Sequence, residues 1–355
     1  AKDVIKIALS KDGDYTVTLM DLAGRVIVSE KSNSKDIVVS IPNDTPNGNY
    51  VLRVLRNSDY QMNAEKITLV YSLKNTFVLK DIALLEEMGY RVLTLQSRPY
   101  KGILGFFWNR IREFFIGFFL VYQSQVVFSW FNDYHTTAPL FWAKIFRKPF
   151  CIIVGGYDAV SSRSLAYGIF LKKNIRQALA RWNYQQADQI WVVHKSLAKG
   201  CPQARTQDGT ISGIQMFIPN LETTILEIPT AYNPSFWKKK SVKKPKTILT
   251  VANISDQRTF DRKGIPLFLS LARELPDYHF TIAGIKSVAQ SDEYPENVNL
   301  IGTIDASALV TLYSQHQFYF QGSKIEGLPN VLCEAMLCEC IPIGSNVFGM
   351  KSRES

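Results

Sequence analysis

Histidine is scarce in this chain, four in 355 residues, and cysteine is hardly more frequent at five. Cys151, Cys201, Cys333, Cys338 and Cys340 are odd in number and lack the paired spacing of a zinc site. Neither a disulfide framework nor a structural zinc centre is expected, and all five read as reduced, structural thiols. Acidic pairs are rarer still: the one Asp-x-Asp string, Asp12-Gly13-Asp14, falls at a turn, where solvated carboxylates are ordinary, so no metal site is expected. The opening AKDVIKIALSKDGDY carries charges through the region a signal peptide keeps apolar. The longest apolar stretch, residues 103–121 (ILGFFWNRIREFFIGFFLV), has the length of a membrane span but places Arg110, Arg112 and Glu113 at its centre. That cost excludes a transmembrane helix. A helix packed on its domain is expected instead, either an ordinary buried one or one whose aromatic outer face touches a membrane surface.

What is present suits a folded, phosphate-handling protein. Hydrophobic residues make up 46% and charged ones 20%, well outside the disordered range. The length suggests two or three domains at roughly 100–200 residues each. A net charge of +10 favours partners rich in phosphate: nucleotide sugars, anionic lipid or nucleic acid. Six of the lysines sit in residues 238–246 (KKKSVKKPK), which reads as a self-repelling linker, and no nucleic-acid module accompanies them. Nucleic acid is therefore not an expected partner.

Residues 1–65 alternate with period two, with turn residues at 21–24 and 46–48, and predict a small antiparallel β-sandwich-like domain. From residue 66 strands alternate with helical stretches. Strands are expected at KITLVYS, YRVLTLQS, 125–130, 150–154, 189–194 and 224–228. After the lysine run they recur at 247–253, 278–285, 298–304, 317–322 and 340–345, with helices at about 264–275, 306–315 and 328–339. The pattern predicts two doubly wound, Rossmann-like α/β domains, residues 66–237 and 247–355.

The segment SKIEGLPNVLCEAMLCE follows the strand QFYFQG. Leu328, Val331, Leu332, Ala335 and Met336 recur at helical spacing, so a helix should start near Leu328. Gly327 permits close backbone approach and Pro329 is preset for a first turn, making the helix start a site for an anion. Glu326 and Glu334 flank that start, about 12 Å apart at 1.5 Å per residue.

These residues resemble glycosyltransferase family 4, with its two-domain type B fold and its two glutamates in an EGxPxxxxE segment; CECIPIGSNVFGM continues the likeness, which spans about residues 66–355. The resemblance implies that Glu334 accepts hydrogen bonds from the nucleotide ribose. Glu326 would lie beside the donor sugar as a catalytic residue. Gly327, Leu328, Pro329 and Asn330 would then face sugar and phosphate. It also implies a cationic pair after the first donor-domain strand, here Arg258 and Lys263 in VANISDQRTFDRKGIPLFL, with Arg262 the runner-up to Arg258. Two cations on a leaving diphosphate make a metal dispensable, so no cofactor is expected beyond a UDP- or GDP-linked donor.

On the acceptor side the strand FCIIV runs into Gly155-Gly156-Tyr157-Asp158, where many relatives carry histidine, glycine, any residue and aspartate. Gly155 stands in the histidine's place, so that role does not carry over, while Asp158 remains a catalytic candidate. Gly155 and Gly156 join Asp133 and His135, from WFNDYH, as acceptor-side candidates. The implied activity is retaining, metal-independent sugar transfer to a saccharide or lipid-linked acceptor in bacterial cell-surface polysaccharide synthesis, in the cytoplasm or at the inner membrane face. Relatives continue past the CIPIGS strand where this chain closes on KSRES, so an incomplete donor domain that at most binds nucleotide sugar is the alternative expectation. Finally, GDYTVTLMDLAGRVIVSEK with IPNDTPNGNYVLRV looks like a type IX secretion sorting domain, which normally closes a chain.

Overall fold

The computed structural model describes residues 4–9, 15–21, 26–46, 50–56, 65–286 and 294–350. The Asp12-Gly13-Asp14 string, most of the two amino-terminal turns and the closing KSRES fall outside these residues. The chain divides into two compact units, residues 1–67 with 79–93, and residues 68–78 with 94–355.

The first unit holds five antiparallel strands: β1 (Val4–Ala8), β2 (Tyr15–Asp21), β3 (Val26–Ser32), β4 (Asp36–Ser40) and β5 (Tyr50–Arg56). β1 pairs with β4, and β2 lies between β3 and β5. The period-two reading becomes two faces: Tyr15, Val17 and Leu19 are buried while Thr16 and Thr18 are not, and Ile37 and Val39 are buried while Val38 is exposed. Tyr15, Val17, Ile37 and Val39 join Ile5, Ile7 and Val28 in one core between the sheets. This is the expected small sandwich.

The second unit contains two parallel sheets. The first takes the carboxyl-terminal residues of β6 (Lys66–Tyr71) and β7 (Arg91–Gln96), together with β8 (Val126–Trp130), β9 (Phe150–Val154), β11 (Gln189–Val192) and β13 (Thr224–Glu227), in the order β13-β11-β9-β8-β6-β7. A two-residue ribbon of β10 (Val160–Ser161) and β12 (Ile211–Ser212) lies outside it. α1 (Thr76–Glu87) has its first turn in this unit and the rest in the first; α2 (Gly102–Gln123), α3 (Tyr134–Ile145) and α4 (Ile175–Gln186) connect strands of the sheet, followed by the short α5 (Ser196–Lys199), α6 (Pro202–Asp208) and α7 (Ile214–Phe217). β9 is buried along its whole length, as a strand covered on both faces must be.

The second sheet has β14 (Lys244–Ile254), β15 (His279–Ile285), β16 (Val298–Ile301), β17 (His316–Gln321) and β18 (Ile341–Gly344), in the order β16-β15-β14-β17-β18. Its helices are α8 (Gln257–Arg262), α9 (Ile265–Glu274), α10 (Ala306–Gln315) and α11 (Asn330–Leu337). In each sheet the strand order turns back once, between β6 and β8 in the first and between β14 and β17 in the second. Ligands of open α/β sheets bind off the carboxyl ends of strands at such switch points.

Two boundaries differ from the sequence expectation. The lysine run is not wholly a repelling linker, because β14 already begins at Lys244. Lys243 donates to the carbonyl oxygens of Tyr313 (2.8 Å) and Cys338 (2.7 Å), at the carboxyl ends of α10 and α11, where helix dipoles attract a cation. The second difference is that α11 starts at Asn330 and not near Leu328, with Pro329 extended at the cap (ψ 104°). The stretch from Glu326 to Pro329 is therefore not helical, and the 12 Å axial spacing of a continuous helix does not apply to the two glutamates. No helix among the described residues is long and apolar enough to cross a membrane.

Candidate functional site

Loops leaving β6, β8, β9, β14 and β17 meet around a cavity of about 820 Å3. Most of its wall lies at the two switch points.

The second sheet supplies the charge. Asp256 caps α8 by accepting from the Thr259 amide (2.8 Å), so the expected loop is a short helix that carries Arg258 in its first turn and Arg262 in its last. Arg262 lines the cavity and lies 5.0 Å over the Tyr167 ring, whereas Arg258 is exposed one turn earlier. Lys263 closes the helix. Gly264 follows in the left-handed region (φ 73°), where a Cβ would come within 2.0 Å of the Gly322 carbonyl oxygen. That contact requires glycine and brings Lys263 against the segment after β17.

There Lys263 Nζ donates to Glu326 Oε1. The same oxygen accepts from Ser323 Oγ (3.2 Å), which in turn accepts from Gln321 Nε2 (2.7 Å); Gln321 Oε1 accepts from the Tyr319 hydroxyl (3.2 Å). A chain of hydrogen bonds thus runs from the core of β17 to the cavity and fixes the carboxylate. Burial pushes the Glu326 carboxyl up, but the cations of Lys263 and Arg262 outweigh it and hold the group below the usual carboxylate range.

Leu328, Pro329, Asn330 and Val331 line the cavity beside this pair, bringing the positive end of α11 to it. The Tyr232 hydroxyl donates to Asn330 Oδ1 (2.6 Å). Glu334 lies one turn further into α11, buried among phenols: Tyr232, Tyr313 and Tyr319 are all raised, first by their own burial and further by the Glu334 charge.

The first sheet supplies the opposite wall. Asp133 caps α3, accepts from the Tyr134 amide (2.8 Å) and is paired with Arg176. Burial would raise its carboxyl, and the Arg176 hydrogen bonds bring it below the ordinary value. His135 also borders the cavity, but it is buried, its Nε2 is bonded to the Trp130 carbonyl (3.1 Å), and burial lowers its pKa, which keeps it neutral.

Asp158 is fully buried behind this wall and not part of it. Its carboxylate accepts from the Asn132 amide (3.0 Å) and the Gly156 amide (3.1 Å), tying the loops after β8 and β9 together. Burial raises its pKa to about 6.

At Gly155 a Cβ would stand 2.4 Å from the Phe131 ring, so the space a side chain there needs is filled by Phe131. Phe131 adopts a left-handed backbone (φ 65°), and its ring packs against Phe77 (5.8 Å) and Trp130 (5.6 Å).

The two walls touch. A Cβ on Gly327 would come within 2.4 Å of the Gly155 carbonyl oxygen, and elsewhere the Phe348 amide donates to Cys201 Sγ (3.2 Å). Gly327→Ala is expected to cost about 1–3 kcal/mol by overpacking, read as a lower denaturant midpoint. An unchanged midpoint would mean that the loops part freely.

Sequence reading missed Arg176, Tyr157, Tyr167 and Phe131. Arg176 sits in the first turn of α4 and the other three depend on loop conformations, and only Tyr157, inside the Gly155-Gly156-Tyr157-Asp158 string, carried a local signal.

Residues 233–353 match the family described as Glycosyl transferases group 1. No curated protein matches the chain. Among solved structures it is similar to sucrose-phosphate synthase from Thermosynechococcus elongatus, at 14% identity over 81% of this chain and 82% of that one, with a TM-score of 0.61. It is also similar to the catalytic domain of starch synthase IV from Arabidopsis thaliana, solved with ADP and acarbose, at 11% identity over 82% and 85% of the two chains, with a TM-score of 0.53. The fold is thus that of the two-domain, type B glycosyltransferases.

Proposed function

We propose that this protein moves a sugar from a nucleotide-sugar donor to an acceptor hydroxyl, as a retaining glycosyltransferase of the family 4 type. The observation that carries the reading is the Lys263–Glu326 pair set beside Arg262 and the amino end of α11, at a switch point of the second sheet. The diphosphate lies against the helix start formed by Gly327, Leu328, Pro329 and Asn330, with Arg262 and Lys263 as its counter-charges and Arg258 at the rim. Glu334 takes the ribose hydroxyls and Glu326 faces the sugar.

As the bond from the anomeric carbon to the phosphate oxygen breaks, negative charge grows on the departing nucleoside diphosphate, and the two cations stabilise it without a metal. The acceptor hydroxyl attacks from the same face and passes its proton to that phosphate oxygen, which gives retention. Asp133, His135 and the Gly155-Gly156 backbone border the acceptor, and Asp158 keeps their loops in register. A UDP- or GDP-linked hexose and a saccharide or lipid-linked acceptor fit the cavity's size. Cell-surface polysaccharide synthesis in the cytoplasm, at the inner face of the membrane, is the setting this suits. The sandwich of residues 1–65 is in keeping with a sorting-type appendage.

The test is thermal unfolding with UDP, GDP and ADP. A nucleotide present at about 100 times its Kd should add about 2.7 kcal/mol of stability, and Glu334→Ala should lose that gain. If none of the three raises the midpoint, the donor-site reading fails. If Glu334→Ala keeps wild-type affinity, the ribose assignment fails.

A further inference from the structure

Helix α2 is built inside out. On its inner side Asn109 donates to the Arg98 carbonyl oxygen (2.7 Å), and Glu113, 0% exposed, pairs with Arg110 (2.7 Å). Arg110 also donates to Ser97 Oγ (3.0 Å) and Arg112 to the Gln96 carbonyl oxygen (3.2 Å). The polar residues that a surface helix ordinarily shows to water are thus spent on the domain. Facing outward are Leu104, Trp108, Ile111, Phe115, Phe119 and Tyr122, with Leu104 83% and Trp108 71% exposed. At 3.6 residues per turn these six fall within about 80° of arc and span about 27 Å along the axis. At 150–250 Å2 of surface per ring, their four aromatic residues and Phe107 present on the order of 600 Å2. Soluble monomers rarely leave more than this uncovered.

Charge identifies the cover. Residues 98–149 contain seven basic and two acidic side chains. Both acids are neutralised internally, Glu113 by Arg110 and Asp133 by Arg176. Arg98 and Lys101 stay exposed at the amino end of α2. Arg147 is exposed at the other end, next to Phe146, whose ring meets Tyr122 at 5.4 Å. A twofold contact between copies through this face would set these cations against one another. An aromatic stripe with tryptophan and tyrosine, flanked by uncompensated arginine and lysine, instead matches the layering of a bilayer surface, with apolar depth under an anionic head-group plane.

We propose that α2 docks on an anionic phospholipid bilayer, its aromatic stripe in the head-group and upper acyl region and Arg98, Lys101 and Arg147 against lipid phosphates. The opposite side of α2 reaches toward the cavity: Phe106, turned away from the stripe, packs edge-on against Tyr134 at 5.0 Å, and Tyr134 is the chain neighbour of Asp133, which lines the cavity. On the reading of a sugar transferase, an acceptor carried in the bilayer would enter along this edge. The docking itself holds whatever the cavity does.

Flotation of the full chain with vesicles of phosphatidylcholine, alone or mixed with phosphatidylglycerol, tests it. Binding is expected on the mixed vesicles only, with a blue shift of tryptophan emission. It should fall by at least about tenfold in the Trp108→Glu/Phe115→Glu variant and by about tenfold in Arg98→Glu/Lys101→Glu, each unfolding at the wild-type temperature. Failure of the wild type to float, or wild-type binding by both variants, would overturn the proposal. So would a concentration-dependent dimer that these substitutions dissolve, since it would give the face to a second copy. Loss of nucleotide binding would leave it untouched.

Discussion

Lys263→Ala is expected to lower kcat by about 10²–10³-fold in a protein that still folds. The side chains of Lys263 and Glu326 are only 18% and 15% exposed, and the Lys263 cation does most to hold the Glu326 carboxyl below its ordinary value. Removing the cation has two effects. The departing diphosphate loses one of its two counter-charges, and Glu326 keeps its burial with Arg262 and the Ser323 hydroxyl alone opposing it, so its carboxyl rises from its lowered value. The acid limb of the pH–rate profile should move to higher pH. Glu326→Ala should reduce turnover by a comparable factor while leaving affinity for the bare nucleotide near wild type, because Glu326 is assigned to the sugar end. Steady-state kinetics with the donor found by the unfolding screen decide both. Wild-type kcat in a folded Lys263→Ala protein would remove the leaving-group assignment.

Asp158→Ala should cost about 3–5 kcal/mol, because the amides of Asn132 and Gly156 would be left buried without an acceptor. For this group the sign with pH runs opposite to that of a salt-bridged aspartate. Its folded pKa, about 6, exceeds the unfolded value, so the protonated native form is favoured and its contribution is full below about pH 4. Stability is lost as pH rises through 6. Relative to Asp158→Asn, the wild type should therefore lose about 2 kcal/mol between pH 4 and pH 6.5. Urea unfolding at those two pH values measures it. A constant gap between the two proteins would mean that Asp158 is charged throughout.

The strand positions were legible because period and length are local properties: β9 was placed residue for residue as FCIIV, and the Glu326 to Glu334 segment announced a strand-to-helix turn. The boundaries that moved were decided by distant partners. Lys243 is anchored because two helices end beside it, which no nearest-neighbour repulsion argument contains. α8 replaced an expected loop through the single cap of Asp256. Hydrophobic pattern left α2 as either a buried helix or one with an exposed aromatic face, and could not say which side faces in. Glu113 is buried because Arg110 neutralises it, and that pairing inverts the usual rule. In the site, charged residues could be nominated from motif spacing, whereas the aromatic wall of Phe131, Tyr157 and Tyr167 depends on backbone conformations that composition does not encode.

The Phe131 ring also constrains how this site can change by mutation. Any side chain introduced at position 155 meets a ring braced by Phe77 and Trp130, while a smaller residue at position 131 leaves a gap that glycine at 155 does not fill. Each step alone is unfavourable, so the two positions are coupled, and a double substitution at 131 and 155 should cost less than the sum of the two single ones.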